Sequence, residues 1–336
     1  MAVTIKDIAK RTGKSITTVS RALHGYDDVS LETREMIERV AAEMGYTPNL
    51  LAQRLQKQRT DTLGFILPTF GPRFSDPFFS EFLAGIGSSA TKYGYDILVS
   101  TQPPGDKELE VYRRKVTGRQ VDGFVVVRTR CHDQRIQYLT TTKTPFVAFG
   151  RIEEEIDYPF VDEDGVMGMK ALVEHLVGLG HKQIAYISPS LEYTFARYRL
   201  RGVQEALAAA GLTIPQEYLV FGDLTQRSGK ARAQQLLQLS RPPTAIIAGN
   251  DLMAFGAMSA AQERGLKVGE DVAIAGFDDI PMAETSHPSL TTMHQPIYKI
   301  GQMLTEMLIK IIQGDPLESR QIILQPQLVI RRSCGE

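Results

Sequence analysis

From Thr62 onward the chain repeats one unit: a short apolar run, a polar turn, then a longer stretch with apolar positions at helical spacing. Leu63–Leu67, Tyr95–Val99, Gly123–Val127 and Phe146–Phe149 read as strands, separated by helices over Pro77–Tyr93, Asp106–Thr117 and Asp133–Thr141. A second series runs through helix Gly165–Leu179, strand Gln183–Ile187, helix Ala196–Ala210, strand Tyr218–Phe221, helix Gln226–Leu239, strand Thr244–Ala248, helix Leu252–Arg264 and strand Val272–Ala275. Strands joined through helices pair in parallel, and a parallel sheet needs cover on both faces. Two such series predict two similar α/β lobes. Ligands in open α/β sheets sit beyond the carboxyl ends of the strands, which here means the cleft between the lobes. A helix over Ile297–Ile312 and a strand over Ile322–Ile330 remain to be fitted into those lobes.

The first sixty residues follow a different grammar. Thr4 is placed to cap a short helix with Asp7 as its reciprocal partner, and Ile8 and Ala9 give that helix an inward face. Gly13 supplies the turn, and Ser15 caps a second helix from about Ile16 to Leu23. Val19, Ala22 and Leu23 form the buried stripe of that helix, while Thr17, Arg21 and His24 share another face. Ser30 starts a third helix, Leu31 to Met44, which closes a small core. Two short helices around a glycine turn, with a polar outer face, form a helix-turn-helix, which puts side chains into the DNA major groove. Lys6, Lys10, Arg11, Lys14 and Arg21 stand against the single acid Asp7 in residues 1–26, on a chain whose formal net charge is −1. A basic patch on a near-neutral protein suits phosphate contact, although a solvated helical hairpin has the same outline.

Several activities fall away. No apolar run approaches the length of a membrane span, the N-terminus enters a polar helix with no signal peptide, and Cys131 and Cys334 are too few for a disulfide framework or a zinc site, so a cytoplasmic protein without metal or cofactor is expected. Gly13-Lys14-Ser15 lacks both the earlier glycine and the preceding strand of a phosphate loop. The run Gly85-Ile86-Gly87-Ser88-Ser89-Ala90 fits a dinucleotide fingerprint as text but falls late in a helix, where it reads as small-residue packing, with a subunit contact as one place for it. Asp162-Glu163-Asp164 could hold a cation, but three acids before a helix more often complement its N-terminus. No nucleophile elbow or zinc-protease motif is present, which leaves a small-molecule α/β enzyme as the rival to a regulator.

The run TIKDIAKRTGKSITTVSRALHG, followed by Val29-Ser30, Thr33-Arg34, Gly45-Tyr46 and Asn49, resembles the headpiece of the lactose/galactose-repressor family of bacterial transcription regulators. The segment GNDLMAFGAMSAAQERGLKVGEDVAIAGFDD, with HPSLTTMHQP after it, is similar to the family's second-lobe signature. The resemblance implies an α/β chain built as an all-α helix-turn-helix headpiece (1–46), a hinge helix and linker (47–59), and a two-lobed periplasmic-binding-protein-like core with parallel sheets (60–336). It implies a first lobe of about 60–160 plus 291–320 and a second of about 161–290 plus 321–336, with crossovers near Phe160, Leu290 and Arg320. It also implies a homodimer on a pseudo-palindromic double-stranded operator, contacted through Thr4, Ser15, Ile16, Thr17, Thr18, Arg21 and His24 in the major groove. Asn49, Ala52 and Leu55 of the hinge helix would enter the minor groove, Leu55 as a wedge that kinks the duplex.

By matching position, Arg199, Asn250 and Asp278 correspond to effector-contacting residues, and an arginine with a carboxylate and an amide suits vicinal hydroxyls. Phe74, Asp76 and Phe78 after the first strand would give a stacking platform with a polar rim. Arg128 and Arg151 lie just past strands three and four; they and Asp76 serve equally well as ion-pair or capping residues. Where the family offers an aromatic from the second lobe, Leu224 stands, with Phe221 three residues earlier as the substitute. A sugar is the expected effector as the commonest class in the family, with a nucleobase or other metabolite left open.

Overall fold

The computed structural model describes residues 3–24, 26–46, 59–69 and 76–335. The chain divides into two compact units, Met1–Arg59 and Thr60–Glu336. In the first, α1 (Ile5–Thr12), α2 (Ile16–Leu23) and α3 (Leu31–Glu43) pack around Ile8, Ala9, Val19, Ala22, Ile37 and Ala41. The caps that the sequence suggests are made. Asp7 Oδ2 accepts from the Thr4 backbone N at 2.9 Å and from its hydroxyl at 2.7 Å, and Ser15 Oγ accepts from Thr18 N at 3.0 Å. Gly13 takes φ 69°, the left-handed turn that lets α2 leave α1 at once. The hinge positions Asn49, Ala52 and Leu55, and Phe74 of the core, lie outside the described residues.

The second unit holds two parallel sheets. The first contains β1 (Thr62–Pro68), β2 (Asp96–Gln102), β3 (Gly123–Val126), β4 (Phe146–Phe149), β5 (Phe160–Glu163) and β11 (Gln321–Leu324), in the order β11-β5-β4-β3-β1-β2. The second contains β6 (Ile184–Ser188), β7 (Leu219–Phe221), β8 (Ala245–Ala248) and β9 (Ala273–Ala275), in the order β7-β6-β8-β9. Their helices are α4 (Pro77–Lys92), α5 (Asp106–Thr117), α6 (Gln134–Thr141), α7 (Gly165–Gly178), α8 (Thr194–Ala209), α9 (Gln226–Leu237), α10 (Asp251–Glu263), the short α11 (Met282–Thr285) and α12 (Ile297–Gln313). A two-stranded antiparallel ribbon pairs β10 (Thr292–His294) with β12 (Gln327–Val329).

Strand side chains alternate between two apolar layers, as burial on both faces requires. Leu63, Phe65 and Leu67 of β1 pack with the α4 layer, while Ile66 packs with Tyr112 of α5 and Ile136 of α6. On the second sheet Ala185 and Ile187 face α9 and α10, and Ile184 and Tyr186 face α7 and α8. Gly85 meets the Tyr298 backbone, and Gly301 meets the Phe82 carbonyl, so a Cβ at either would collide with main chain. Gly85 of α4 and Gly301 of α12 therefore serve a close helix crossing inside the first lobe.

The lobe boundaries differ from expectation by a few residues. β5 pairs with β4 and with β11, so the first lobe runs on to Glu163 and takes back the chain as far as Leu324. Thr291 and His294 still bridge to Ala275 and Asp278 of the second lobe, which moves the middle crossing from Leu290 to Gln295-Pro296. The cause is the strand Phe-Val-Asp-Glu, whose two acids hide a four-residue buried strand from an apolar pattern.

Candidate functional site: an interlobe cavity and a basic headpiece

Both sheets change winding direction at one point, between β1 and β3 in the first and between β6 and β8 in the second. At such switch points adjacent strands deliver loops to opposite sides and leave a crevice. The two crevices face each other and form a cavity lined by Asp76, Phe78, Phe79, Arg128, Thr129, Phe149, Asp162, Glu163, Phe195, Arg199, Leu224, Asn250, Asp278 and Gln295 among others. A backbone seam ties the lobes together beside it: Arg130 bridges Tyr193, Cys131 N donates to Glu192 O at 3.0 Å, and Thr194 N donates to Thr129 O at 3.1 Å.

Each wall has its own chemistry. The first lobe supplies an aromatic face in which Phe78 and Phe149 stack with centroids 6.0 Å apart. Asp76 caps α4 by accepting from Phe78 N at 3.1 Å, and its other oxygen lies 3.2 Å from Arg128 Nη2. Both readings of this pair therefore hold: a cap and an ion pair, on the cavity wall. The second lobe supplies Arg199, one turn into α8 and buried, with its guanidinium 3.6 Å from the Phe277 ring centroid and 4.9 Å from that of Phe195. Nη1 donates to the Gly249 carbonyl at 2.5 Å, Nε and Nη2 donate to Glu163, and Asp278 Oδ1 lies 3.7 Å from Nη2. Burial alone would lower the arginine, but Glu163 and Asp278 more than offset it and hold the cation charged. Burial drives the Asp278 carboxyl well above the ordinary range; Arg199 opposes this, while Asp251, Glu163 and Asp76 add to it.

Three wall residues without the freedom of glycine adopt positive φ: Arg128 at 51°, Leu224 at 70° and Asp278 at 123°. Such conformations cost energy for a side chain with a Cβ and persist where surrounding structure fixes them, commonly at functional sites. Asp278 is held by its N–H to the Met293 carbonyl at 2.9 Å and by Gln295 Nε2 on Oδ1 at 2.7 Å.

Of the effector positions expected from sequence, Asp76, Phe78, Arg128, Arg199, Asn250 and Asp278 line the cavity. Asn250 spends its side chain on the fold, since Oδ1 accepts from Met253 N at the start of α10 and Nδ2 donates to the Leu224 carbonyl. Two positions do not reach the wall. Arg151 lies behind it, donating to Asp162 Oδ2 at 2.5 Å and stacking 4.2 Å from the Tyr198 ring centroid. Phe221 is 44% exposed at the end of the edge strand β7, and Leu224 takes the wall place instead. Glu163, Asp162, Gln295, Phe149 and Phe195 are wall residues that sequence reasoning missed. Only Asp164 of the acidic triplet caps α7, through Met167 N; Asp162 and Glu163 end β5 and point to the cavity. The strand-end rule would have found them once β5 was recognised.

In the headpiece Thr4, Ser15, Ile16, Thr17 and Arg21 are exposed, Ile16 at 50%. Thr18 is half-buried, its hydroxyl 2.8 Å from that of Ser15. Arg21 pairs with Asp28 at 2.7 Å, and His24 Nδ1 lies 2.5 Å from the Ser20 carbonyl at the end of α2. Among the described residues no cluster of His, Cys, Asp and Glu suits a metal ion, and no helix is long and apolar enough to cross a membrane.

A helix-turn-helix unit with a basic surface, joined in one chain to a two-lobed core with an interlobe cavity, defines a DNA-binding transcription regulator. Residues 4–49 match the family of bacterial regulatory proteins of the lacI type, and residues 173–334 match a periplasmic binding protein-like domain. The HTH-type transcriptional repressor CytR of Escherichia coli (strain K12) is 34% identical over 99% of this chain and 96% of its own length. Catabolite control protein A of Priestia megaterium is 33% identical over 99% of both. The lac repressor dimer bound to operator and the anti-inducer ONPF superposes with a TM-score of 0.86 at 29% identity, covering 99% of each chain. A complex of the transcriptional regulator CelR with cellobiose gives 0.76 at 30% identity, covering 98% of this chain and 99% of that one. The chain belongs to the lacI family of bacterial transcription regulators.

Proposed function

We propose that the protein is a sequence-specific repressor whose operator affinity is set by a small effector, a sugar, bound between the two lobes, and that it carries out no catalytic step. The observation that carries this reading is the cavity itself: an aromatic wall on one lobe and a buried Arg199–Glu163–Asp278 cluster on the other, brought together across the seam. A sugar offers an apolar ring face and a hydroxyl edge, which match those two walls. The CelR relative was solved with cellobiose, and another relative from Enterococcus faecium with bound ribose. A ligand touching both lobes favours one lobe arrangement over another, and it shifts DNA binding to the extent that the two arrangements differ in affinity for it.

The DNA side follows from exposure. Ile16 and Thr17 at the start of α2 would meet base edges, Ile16 offering only apolar contact such as a thymine methyl, while Lys14 would meet phosphate. One headpiece reads one half-site, so a homodimer on a pseudo-palindromic operator is the working unit.

The test is Asp278→Ala, with the effector first found by a thermal-shift screen of sugars and nucleobases. Loss of a charged hydrogen bond to the ligand should cost about 1.5–3 kcal/mol, roughly tenfold to a hundredfold in affinity by calorimetry. The operator response should move to correspondingly higher ligand concentration. Unchanged ligand affinity in a folded variant would mean that Asp278 serves only the turn after β9.

A further inference from the structure

One cation of the headpiece is held differently from its neighbours. Lys6, Lys10, Arg11 and Lys14 make no ion pair among the described residues, whereas Arg21 Nη1 lies 2.7 Å from Asp28 Oδ2. The two side chains are 49% and 48% exposed, so the pair stands on the surface rather than in the core. Thr17 and Arg21 are one helical turn apart on α2, and Asp28 is therefore brought onto the face that carries the reading residues. The guanidinium also lies 5.6 Å from the Tyr26 ring centroid.

The turn between α2 and α3 holds that carboxylate in place. Tyr26 N donates to the Arg21 carbonyl at 3.1 Å, and the Tyr26 carbonyl accepts from Arg34 Nη2 of α3 at 2.8 Å. The segment is thus tied to both helices. Asp28 makes no other side-chain hydrogen bond or ion pair among the described residues. An exposed pair of this kind adds about 1 kcal/mol or less to stability, while the headpiece already has its caps and its apolar core. An acid on a surface that must approach phosphate also opposes DNA binding by like-charge repulsion. Its place there is accounted for by specificity, which can be sharpened by an element that repels the wrong contact.

An arginine facing DNA has two uses: a charge set against phosphate, or a fork set against guanine N7 and O6. Asp28 separates the two. The pair carries no net charge, and its carboxylate repels a phosphate brought near it. With Nη1 engaged, Nε and Nη2 make no hydrogen bond among the described residues, and their parallel N–H groups form the edge that fits a guanine. We propose that Asp28 is a positioning residue for sequence reading: it holds Arg21 by Nη1 so that the Nε–Nη2 edge meets a guanine instead of a phosphate. This rests on the placement of Arg21 on the DNA-reading face of α2.

The full chain is titrated with an operator selected from a randomised duplex pool, with its single-base-pair substitutions, and with an unrelated duplex of equal length. Arg21→Ala should erase discrimination at one G·C pair in each half-site, where it is about fivefold to a hundredfold in the wild type. Asp28→Asn should cut discrimination at that same pair by about threefold or more. It should also tighten binding to the unrelated duplex, which an unfolded headpiece could not do. Asp27→Asn removes the same charge one residue away, where no pair with Arg21 exists, and should tighten every duplex alike by up to about fivefold per headpiece. In the Arg21→Ala background Asp28→Asn should alter no base preference further. If Asp28→Asn behaves as Asp27→Asn does, Asp28 is only a surface charge; the proposal is overturned and Arg21 remains a reader. A preference that shifts again in the Arg21→Ala background would make Asp28 a base contact in its own right, which also overturns the proposal. Arg21→Ala weakening all duplexes equally would instead remove Arg21 from the reading face, and the proposal with it.

Discussion

The headpiece and the interlobe cavity use the same residue types in opposite ways. In the headpiece Lys6, Lys10, Arg11 and Lys14 are exposed or nearly so, and no ion pair among the described residues engages them. In the cavity Arg199 is buried and Arg128 nearly so, each against carboxylates. Open surface charge gives attraction to any polyanion, with sequence choice left to a few contacts such as Ile16 and Thr17. Spent, buried charge gives no long-range pull but fixes the positions of acceptors and donors to within a fraction of an ångström, which a small ligand needs. One chain thus carries one surface that answers to charge and one that answers to shape and hydrogen bonding.

The contrast is broken most severely by removing a cation from each side. Arg199→Ala should destabilise the core by about 3–5 kcal/mol, because Glu163 and Asp278 are left buried without their counter-charge. Lys14→Ala should change stability by less than about 0.5 kcal/mol, since nothing in the fold leans on that side chain. Chemical denaturation of both variants measures the difference; equal costs would mean that the Arg199 cluster is not a buried network at all.

A smaller effect sharpens the same point through pH. Asp251 opens α10 fully buried, and burial pushes its carboxyl up to about 6, against hydrogen bonds from the Thr292 hydroxyl at 2.5 Å and Ile280 N at 2.9 Å. Its folded pKa lies above the ordinary aspartate value of 3.8, so between those values the native state holds more protons and this group's contribution to stability falls as pH rises. Replacing it with asparagine removes that term. The stability of Asp251→Asn relative to wild type should therefore improve by roughly 3 kcal/mol between about pH 4 and pH 7. A difference that stays flat with pH would show that Asp251 titrates normally.

How much of this was legible beforehand divides along the same line. The helix-turn-helix could be read closely because caps, the Gly13 turn and the buried stripe are local signals spaced along a few residues. The two parallel sheets followed from alternation over long stretches. The effector wall was read only where matching positions marked it, as at Arg199 and Asp278. Glu163 was assigned to a helix N-terminus because the strand it ends is four residues long and half acidic. Gln295 carries no local signal: it reaches the cavity only because the chain crosses between lobes there. Phe221 and Leu224 were exchanged because a three-residue edge strand leaves the direction of each side chain to tertiary packing, and the positive φ of Leu224 turns it inward. Arg151 misses the wall because its guanidinium is turned to Asp162 and lies over the Tyr198 ring.

Smaller still is the difference between reading and positioning within the headpiece. Changing Ile16 and Thr17 together should redirect which operator is preferred, by about 1–3 kcal/mol at the affected base pairs. Lys14→Ala should instead weaken all duplexes alike and reduce the salt slope by about one. Binding measured against a panel of substituted operators separates the two, and an unaltered preference in the double variant would take Ile16 and Thr17 off the reading face.

The contrast between open and spent charge is tested most directly by salt. The same protein is titrated with its selected operator duplex and, separately, with the neutral ligand found for the cavity, each over a range of salt concentrations. Operator affinity should fall by about a thousandfold or more between about 50 and 200 mM salt, as several phosphate contacts per headpiece in a dimer require. Ligand affinity should move by less than about twofold over that range, because buried and paired charges are little screened and the ligand brings none. A ligand isotherm that weakens with salt as steeply as the operator's, or an operator affinity indifferent to salt, would contradict the account.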